Sequence, residues 1–178
     1  MMKKMVPALI MVLVLAAGAA GAAERFEKIF IPNGLAHAEI GDWIMFKMGD
    51  GTVQKHSIVE REGDAPKGEI VVYIQNMVNN EPTTGRRIRQ PIGEEFVEPP
   101  VPEGESHTYE RRKETVMFEG AALEITIIDV FNGDKPVRTW YLSSELPVYG
   151  VIKKVLANGD SEFEVIDFGF ADGEEKKQ

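Results

Sequence analysis

From Asp42 to Phe170 the chain is a succession of short β-prone runs cut by clusters of Gly, Asn and Asp, and no long amphipathic helical repeat interrupts them. That rhythm restricts the fold to antiparallel β-structure, because tight connections between short runs join neighbouring strands and cannot carry a parallel crossover. Asp42 to Met48 and Thr52 to Glu62 flank Gly49-Asp50-Gly51, a hairpin turn in which glycine supplies positive φ. Gly63 to Gly68 closes that run, and Glu69 to Met77 brings Val71, Val72, Tyr73 and Ile74 as a third strand. In Ala122 to Phe131, Leu123, Ile125 and Ile127 alternate with Glu124 and Thr126, the period-two pattern of a strand wet on one face. Asn132-Gly133-Asp134-Lys135 turns the chain into Pro136 to Leu142. Gly150 to Ala157 follows, and Asn158-Gly159-Asp160 leads to Ser161 to Phe170. The expected fold is mainly β: one antiparallel, strongly curved sheet or barrel-like shell of seven to nine strands with little helix. Only Leu35 to Ile40 invites a short helical turn.

Between the two halves, Asn79 to His107 holds Pro82, Pro91, Pro99, Pro100 and Pro102. Proline cannot donate to a sheet ladder, so the segment reads as a long mobile flap beside the working surface, with strand expected at most over Arg86 to Gln90. Tyr109 to Glu119 mixes a charged run with Thr115-Val116-Met117-Phe118 and reads as extended and solvent-facing. A single β domain over residues 24–170 and a charged tail over 171–178 complete the division.

The first 23 residues are of another kind. Lys3 and Lys4 precede an apolar Val6 to Leu15, and Ala16 to Ala23 is only Ala and Gly. This is the basic, apolar, small-residue order of a secretory signal peptide, with cleavage after Ala22 or Ala23. A retained membrane anchor is the alternative; the notion of a lipid-modified N-terminus fails because the chain has no cysteine. Cleavage implies a periplasmic or secreted protein with no membrane span, stabilised by burial and sheet pairing without disulfides. Losing Lys3 and Lys4 takes the formal charge from −9 to −11. Such a surface disfavours nucleic acid and anionic headgroups, whose binding depends on cations placed against phosphates.

Little in the sequence points to chemistry. His37, His56 and His107 have no second ligand at metal-binding spacing, so neither a metal nor a cofactor is expected. Ser143-Ser144-Glu145 lacks a G-x-S-x-G elbow and no histidine follows His107, so the serine hydroxyls read as turn caps. Gly49-Asp50-Gly51 and Asn158-Gly159-Asp160 lack the alternating oxygen ligands of a calcium loop and read as hairpin turns. The expectation is a protein without catalysis; a carboxylate-dependent hydrolase is the enzymatic alternative.

Two groups of side chains are candidates for binding. Trp43, Met45, Trp140 and Tyr141 place bulky, adaptable groups on predicted strands, where they line a cavity or fill a core. Arg86, Arg87 and Arg89, with Arg111, Arg112 and Lys113, are dense cations in an acidic chain, suited to clamping a carboxylate or phosphate or to guarding a sheet edge.

The run Trp140-Tyr141-Leu142-Ser143-Ser144-Glu145-Leu146-Pro147-Val148-Tyr149-Gly150-Val151-Ile152-Lys153-Lys154 resembles a strand, turn, strand signature of exported bacterial β-domain proteins. It is similar in general look to the periplasmic lipoprotein-carrier class, in which a curved antiparallel sheet cups an apolar cavity. Here Pro147 would fix the bend and Gly150 relieve crowding, while the helices that plug such cavities are lacking. The resemblance implies a binding or carrier module for a hydrophobic or lipid-like ligand. The competing expectation is an envelope scaffold that holds a protein partner through an exposed sheet edge or the proline-rich loop.

Overall fold

The structure, a computed structural model, describes residues 25–27, 34–93, 101–118 and 121–171. The expected signal peptide, residues 94–100 of the proline-rich segment and the tail from Asp172 lie outside the described residues.

The fold is mainly β. Eleven strands form a single antiparallel sheet: β1 (Arg25–Phe26), β2 (Trp43–Met48), β3 (Val53–Glu62), β4 (Glu69–Val78), β5 (Glu81–Pro82), β6 (Arg86–Pro91), β7 (His107–Phe118), β8 (Ala121–Asn132), β9 (Lys135–Leu142), β10 (Val151–Leu156) and β11 (Ser161–Gly169). Their spatial order is β1-β7-β8-β9-β10-β11-β2-β3-β4-β5, with β6 also on the outer side of β4. The chain thus builds two meanders, and β11 returns to β2 to join them, with Phe163 opposite Met48 and Val165 opposite Phe46. The sheet stays open: β5 and β6 lie at one margin, β1 and β7 at the other.

Within the sequence expectation, the strand runs fall where the turn residues placed them, and nine of the strands are six residues or longer. The two short ones, β1 and β5, make up the excess over the expected count. Asp50 accepts from both the N–H and the hydroxyl of Thr52, and Asn158 accepts from the N–H of Asp160, so both suspected calcium-loop fragments are hairpin turns. Leu35 to Ile40 contributes a 3₁₀ turn over Gly34–Ala36. In the proline-rich segment, β6 pairs with β4 over six residues from Arg86 to Pro91, where the sequence leaves room for strand, and the unexpected element is β5 over Glu81–Pro82. Proline is tolerated because this is an edge, where one N–H per pair of residues has no ladder to serve.

The sheet folds over on itself. β7 and β11 are four strand spacings apart in the order, which is ~19 Å across a flat sheet, yet the rings of Phe118 and Phe168 lie 5.6 Å apart. The main core takes Ile44 and Phe46 from β2, Ile58 from β3, Ile70 and Val72 from β4, and Leu123, Ile125 and Ile127 from β8. Ile128, Val130, Trp140, Leu142 and Val151 form a second cluster. Ile127 and Ile128 are sequence neighbours that point to opposite faces, and both are 1% exposed. β8 is therefore buried on both sides, and the wet face expected of it holds only at Glu124 and Thr126.

Candidate functional site

Loop 143–150, between β9 and β10, packs into the core through Leu146 and Val148 and has positive φ at both Val148 and Gly150. The Ser143 hydroxyl donates to the Glu124 carbonyl at 2.8 Å and accepts from the Glu145 N–H at 3.3 Å. It is a structural cap, 4% exposed, as its place in a turn implied. The Ser143 N–H donates to the Gly150 carbonyl, which closes the loop. Gly150 has φ of 66°, and an added Cβ would sit 3.0 Å from the Ser143 carbonyl oxygen, so glycine relieves the crowding anticipated there. At the tip, the Tyr149 N–H donates to the Pro147 carbonyl across Val148, whose φ is 66°. A β-branched residue at the centre of this γ-turn is strained by ~1–2 kcal/mol. Complete burial of Val148 offsets that cost.

The strained tip aims Tyr149 at His56 of β3. The Tyr149 hydroxyl is 3.1 Å from His56 Nδ1, and His56 Nε2 is 3.2 Å from Gln54 Oε1. Because a carboxamide oxygen only accepts, Nε2 carries the hydrogen and Nδ1 accepts from the phenol. Gln90 of β6 lies beside the same hydroxyl and lowers its pKa. Phe46 packs edge-on against the imidazole at 5.2 Å. Burial pushes the His56 pKa down to about 4, and the nearby Arg86 guanidinium pushes in the same direction. Burial also raises the Tyr149 hydroxyl to about 12, against a lowering contribution from Gln90. At neutral pH both groups are uncharged, and they link β3, β6 and the loop as a neutral polar knot.

The seven residues singled out in the sequence do not converge. Trp43 and Met45 lie on the face of β2 opposite Ile44 and Phe46, with the Lys55 ammonium 4.3 Å from the Trp43 ring. Trp140 is in the second core cluster, 4% exposed, with Lys154 over its ring. Tyr141 follows it and points to the other face, where burial raises its hydroxyl pKa. Strand alternation thus separates residues that adjacency in sequence had grouped. Arg87 pairs with Glu60 at 2.7 Å and Arg89 with Glu69 at 3.0 Å. Arg86 alternates away from them, opposite Ile74, and joins the setting of His56. Tyr149, which connects the inner knot, was not singled out from sequence: no local pattern reports that a residue beyond β9 will reach back to β3.

A second feature lies at the sheet margin. β7 pairs with β8 along all twelve of its residues, but on its other side β1 covers only Tyr109 and Glu110. Among the described residues, Arg111 to Phe118 has no strand beside it. Arg111, Arg112, Lys113, Thr115 and Met117 are exposed there, Met117 by 48%. Arg112 pairs with Asp129 and Glu114, and Lys113 with Glu124 at 2.9 Å. No protein-family model, curated protein or solved structure matches the chain. Among the described residues no group of histidine and carboxylate side chains is arranged to hold a metal ion.

Proposed function

We propose that the protein is an exported, envelope-located interaction module that takes up an extended segment of a partner protein along the outer edge of β7. The carrying observation is the length of the edge that has no strand beside it among the described residues: eight residues, Arg111 to Phe118, on a strand whose other side is fully laddered. An open edge offers alternate N–H and C=O groups to an incoming strand, the basis of recognition by strand addition. The opposite margin is better guarded, since β5 and β6 carry Pro82 and Pro91, and Arg87 and Arg89 are held in ion pairs. On β7 the charges guard only the first half; Val116, Met117 and Phe118 follow without proline or charge.

The expected export supports the same reading. β1 runs antiparallel to β7, so chain preceding Arg25 is what could lengthen β1 past Glu110 toward Phe118. Cleavage after Ala22 or Ala23 leaves one or two residues there, too few to cover the edge.

The rival reading, a carrier for a hydrophobic or lipid-like ligand, asks for an apolar cavity. Ile44, Ile58, Ile70, Val72, Ile92 and Val148 instead fill the inside of the curl at 0–1% exposure. One cleft of about 730 Å³, bordered by Lys47, Asp50, Glu162 and Glu164, is open and lies at the surface. The interaction reading is tested by a photo-crosslinking amino acid at Thr115, compared with one at Arg87, in cells exporting the protein. A discrete adduct from Thr115 and none from Arg87 is expected. Adducts from neither position, or equally from both, overturn the reading.

A further inference from the structure

We infer that Asn132 is a site of spontaneous covalent modification: with Gly133 it enters the β8–β9 turn in a setting open to loss of ammonia and conversion to isoaspartate, whereas the same three residues in the β10–β11 turn are held against that reaction. The chain has three Asn-Gly pairs. Asn33 of the first lies outside the described residues. The other two are each followed by Asp, as Asn132-Gly133-Asp134 and Asn158-Gly159-Asp160. Local sequence therefore does not separate them, and a difference in their reactivity comes from the fold. Glycine makes candidates of both, because without a Cβ its nitrogen can approach the carboxamide carbon of the residue before it.

In the β10–β11 turn both reacting groups are engaged. The Gly159 N–H donates to the Leu156 carbonyl at 2.9 Å. The Asn158 carboxamide is pinned to Asp160 at both ends, accepting from its N–H at 3.1 Å and donating to its carboxylate at 2.7 Å. In the β8–β9 turn Gly133 is exposed, with φ of 61° and open space where a Cβ would stand, and its N–H has no acceptor among the described residues. Asn132 Oδ1 accepts from the Ser106 N–H only at 3.5 Å, long for a hydrogen bond, and Nδ2 has no partner among the described residues. The reaction needs nothing but water. The Gly133 nitrogen gives up its proton and bonds to Asn132 Cγ, the Cγ–Nδ2 bond breaks, and Nδ2 leaves as ammonia with that proton. One water then opens the five-membered imide. Opening at Cγ gives aspartate; opening at the backbone carbonyl gives isoaspartate, whose main chain runs through Cβ and Cγ and is one methylene longer. A two-residue turn fixes the register of its hairpin, so the lengthening is felt there. Arg25 of β1 is fastened to the same turn, donating to the Gly133 carbonyl at 3.2 Å and to the Asp134 carboxylate at 3.0 Å. Modification at Asn132 therefore displaces an atom that holds β1.

The mature protein, incubated at mildly alkaline pH both folded and in urea, tests this. Each site is followed by peptide mapping with mass spectrometry that tells isoaspartate from aspartate. In urea the two sites are expected to react at similar rates, since both are Asn-Gly-Asp. In the folded protein Asn132 is expected to react at least about fivefold faster than Asn158, roughly the factor that one hydrogen bond contributes. The product modified at Asn132 should show shifted backbone amides at Arg25 and Phe26. Asn132→Gln, whose longer side chain would have to close a six-membered ring, should show neither modification at that position nor the shift after the same incubation. Equal rates at the two sites in the folded protein, a faster Asn158, or no reaction at either overturns the inference. A ratio in urea as large as that in the folded protein overturns it too, because the fold would then play no part. Amides of β1 that stay in place in the modified product, or that shift equally in Asn132→Gln, overturn the link between the turn and β1.

Discussion

The phenol of Tyr149 meets the imidazole of His56 at 3.1 Å, and this contact fastens a loop from the second meander to a strand of the first. Gln90 beside the same hydroxyl and Gln54 on the far imidazole nitrogen extend the link to the margin of the sheet. Tyr149→Phe removes the donor to His56 Nδ1 and leaves a half-buried acceptor unmet. The expected cost is ~1–2 kcal/mol in urea unfolding. An unchanged midpoint would show that the knot is not what ties the loop down.

His56 gives the protein a pH dependence of definite sign. Its folded pKa of about 4 lies below the ordinary value of 6.5, so between those limits the unfolded chain binds the proton and the folded one does not. Stability from this group is complete above pH 6.5 and is lost as pH falls toward 4, by at most ~3 kcal/mol. His56→Gln should therefore be less stable than the parent at pH 7.5, with the gap closing by pH 5. A gap that stays constant across that range would place His56 in contact with water.

Gly34 tests the seat of the same loop from the other side. A Cβ on Gly34 would fall 2.3 Å from the Tyr149 carbonyl carbon and 2.4 Å from the Gly150 nitrogen, both backbone atoms that cannot swing aside. Gly34→Ala should lower stability by more than ~2 kcal/mol and shift the His56 ring resonances. A neutral substitution would mean that the 3₁₀ turn does not rest on the loop.

The turns were the legible part of this fold. Gly, Asn and Asp clusters set where strands end, and the antiparallel order of each meander follows from connections too short for anything else. The alternation of Leu123, Ile125 and Ile127 told that one face is buried, but could not tell that Ile128 and Val130 bury the other, because that depends on how far the sheet folds over. Proline gave a misleading signal at Glu81–Pro82, where an edge position removes its usual penalty, while the strand over Arg86–Pro91 falls where the segment left room for one. The grouping of Trp140 with Tyr141 failed for the opposite reason: neighbours on a strand point apart. Cations on Arg111 to Lys113 were visible as a cluster, yet whether they lie on a covered or an open strand is a property of the sheet order, which no local pattern encodes.

Loss of the apolar end of β7 should separate association from stability. Met117 is 48% exposed, so Met117→Lys is expected to change the unfolding free energy by less than ~0.5 kcal/mol. The same change should abolish the adduct formed from Thr115. A stability loss of several kcal/mol would place Met117 in the core and remove it from the working edge.

The open edge itself is measured most directly by residue-resolved amide hydrogen exchange over Arg111 to Phe118 in the mature protein alone. An unpaired edge leaves every second N–H without an acceptor, so alternate amides should exchange at near-unprotected rates while those turned toward β8 are protected. Uniform protection of all eight would show that the chain covers this edge itself, and would contradict the account.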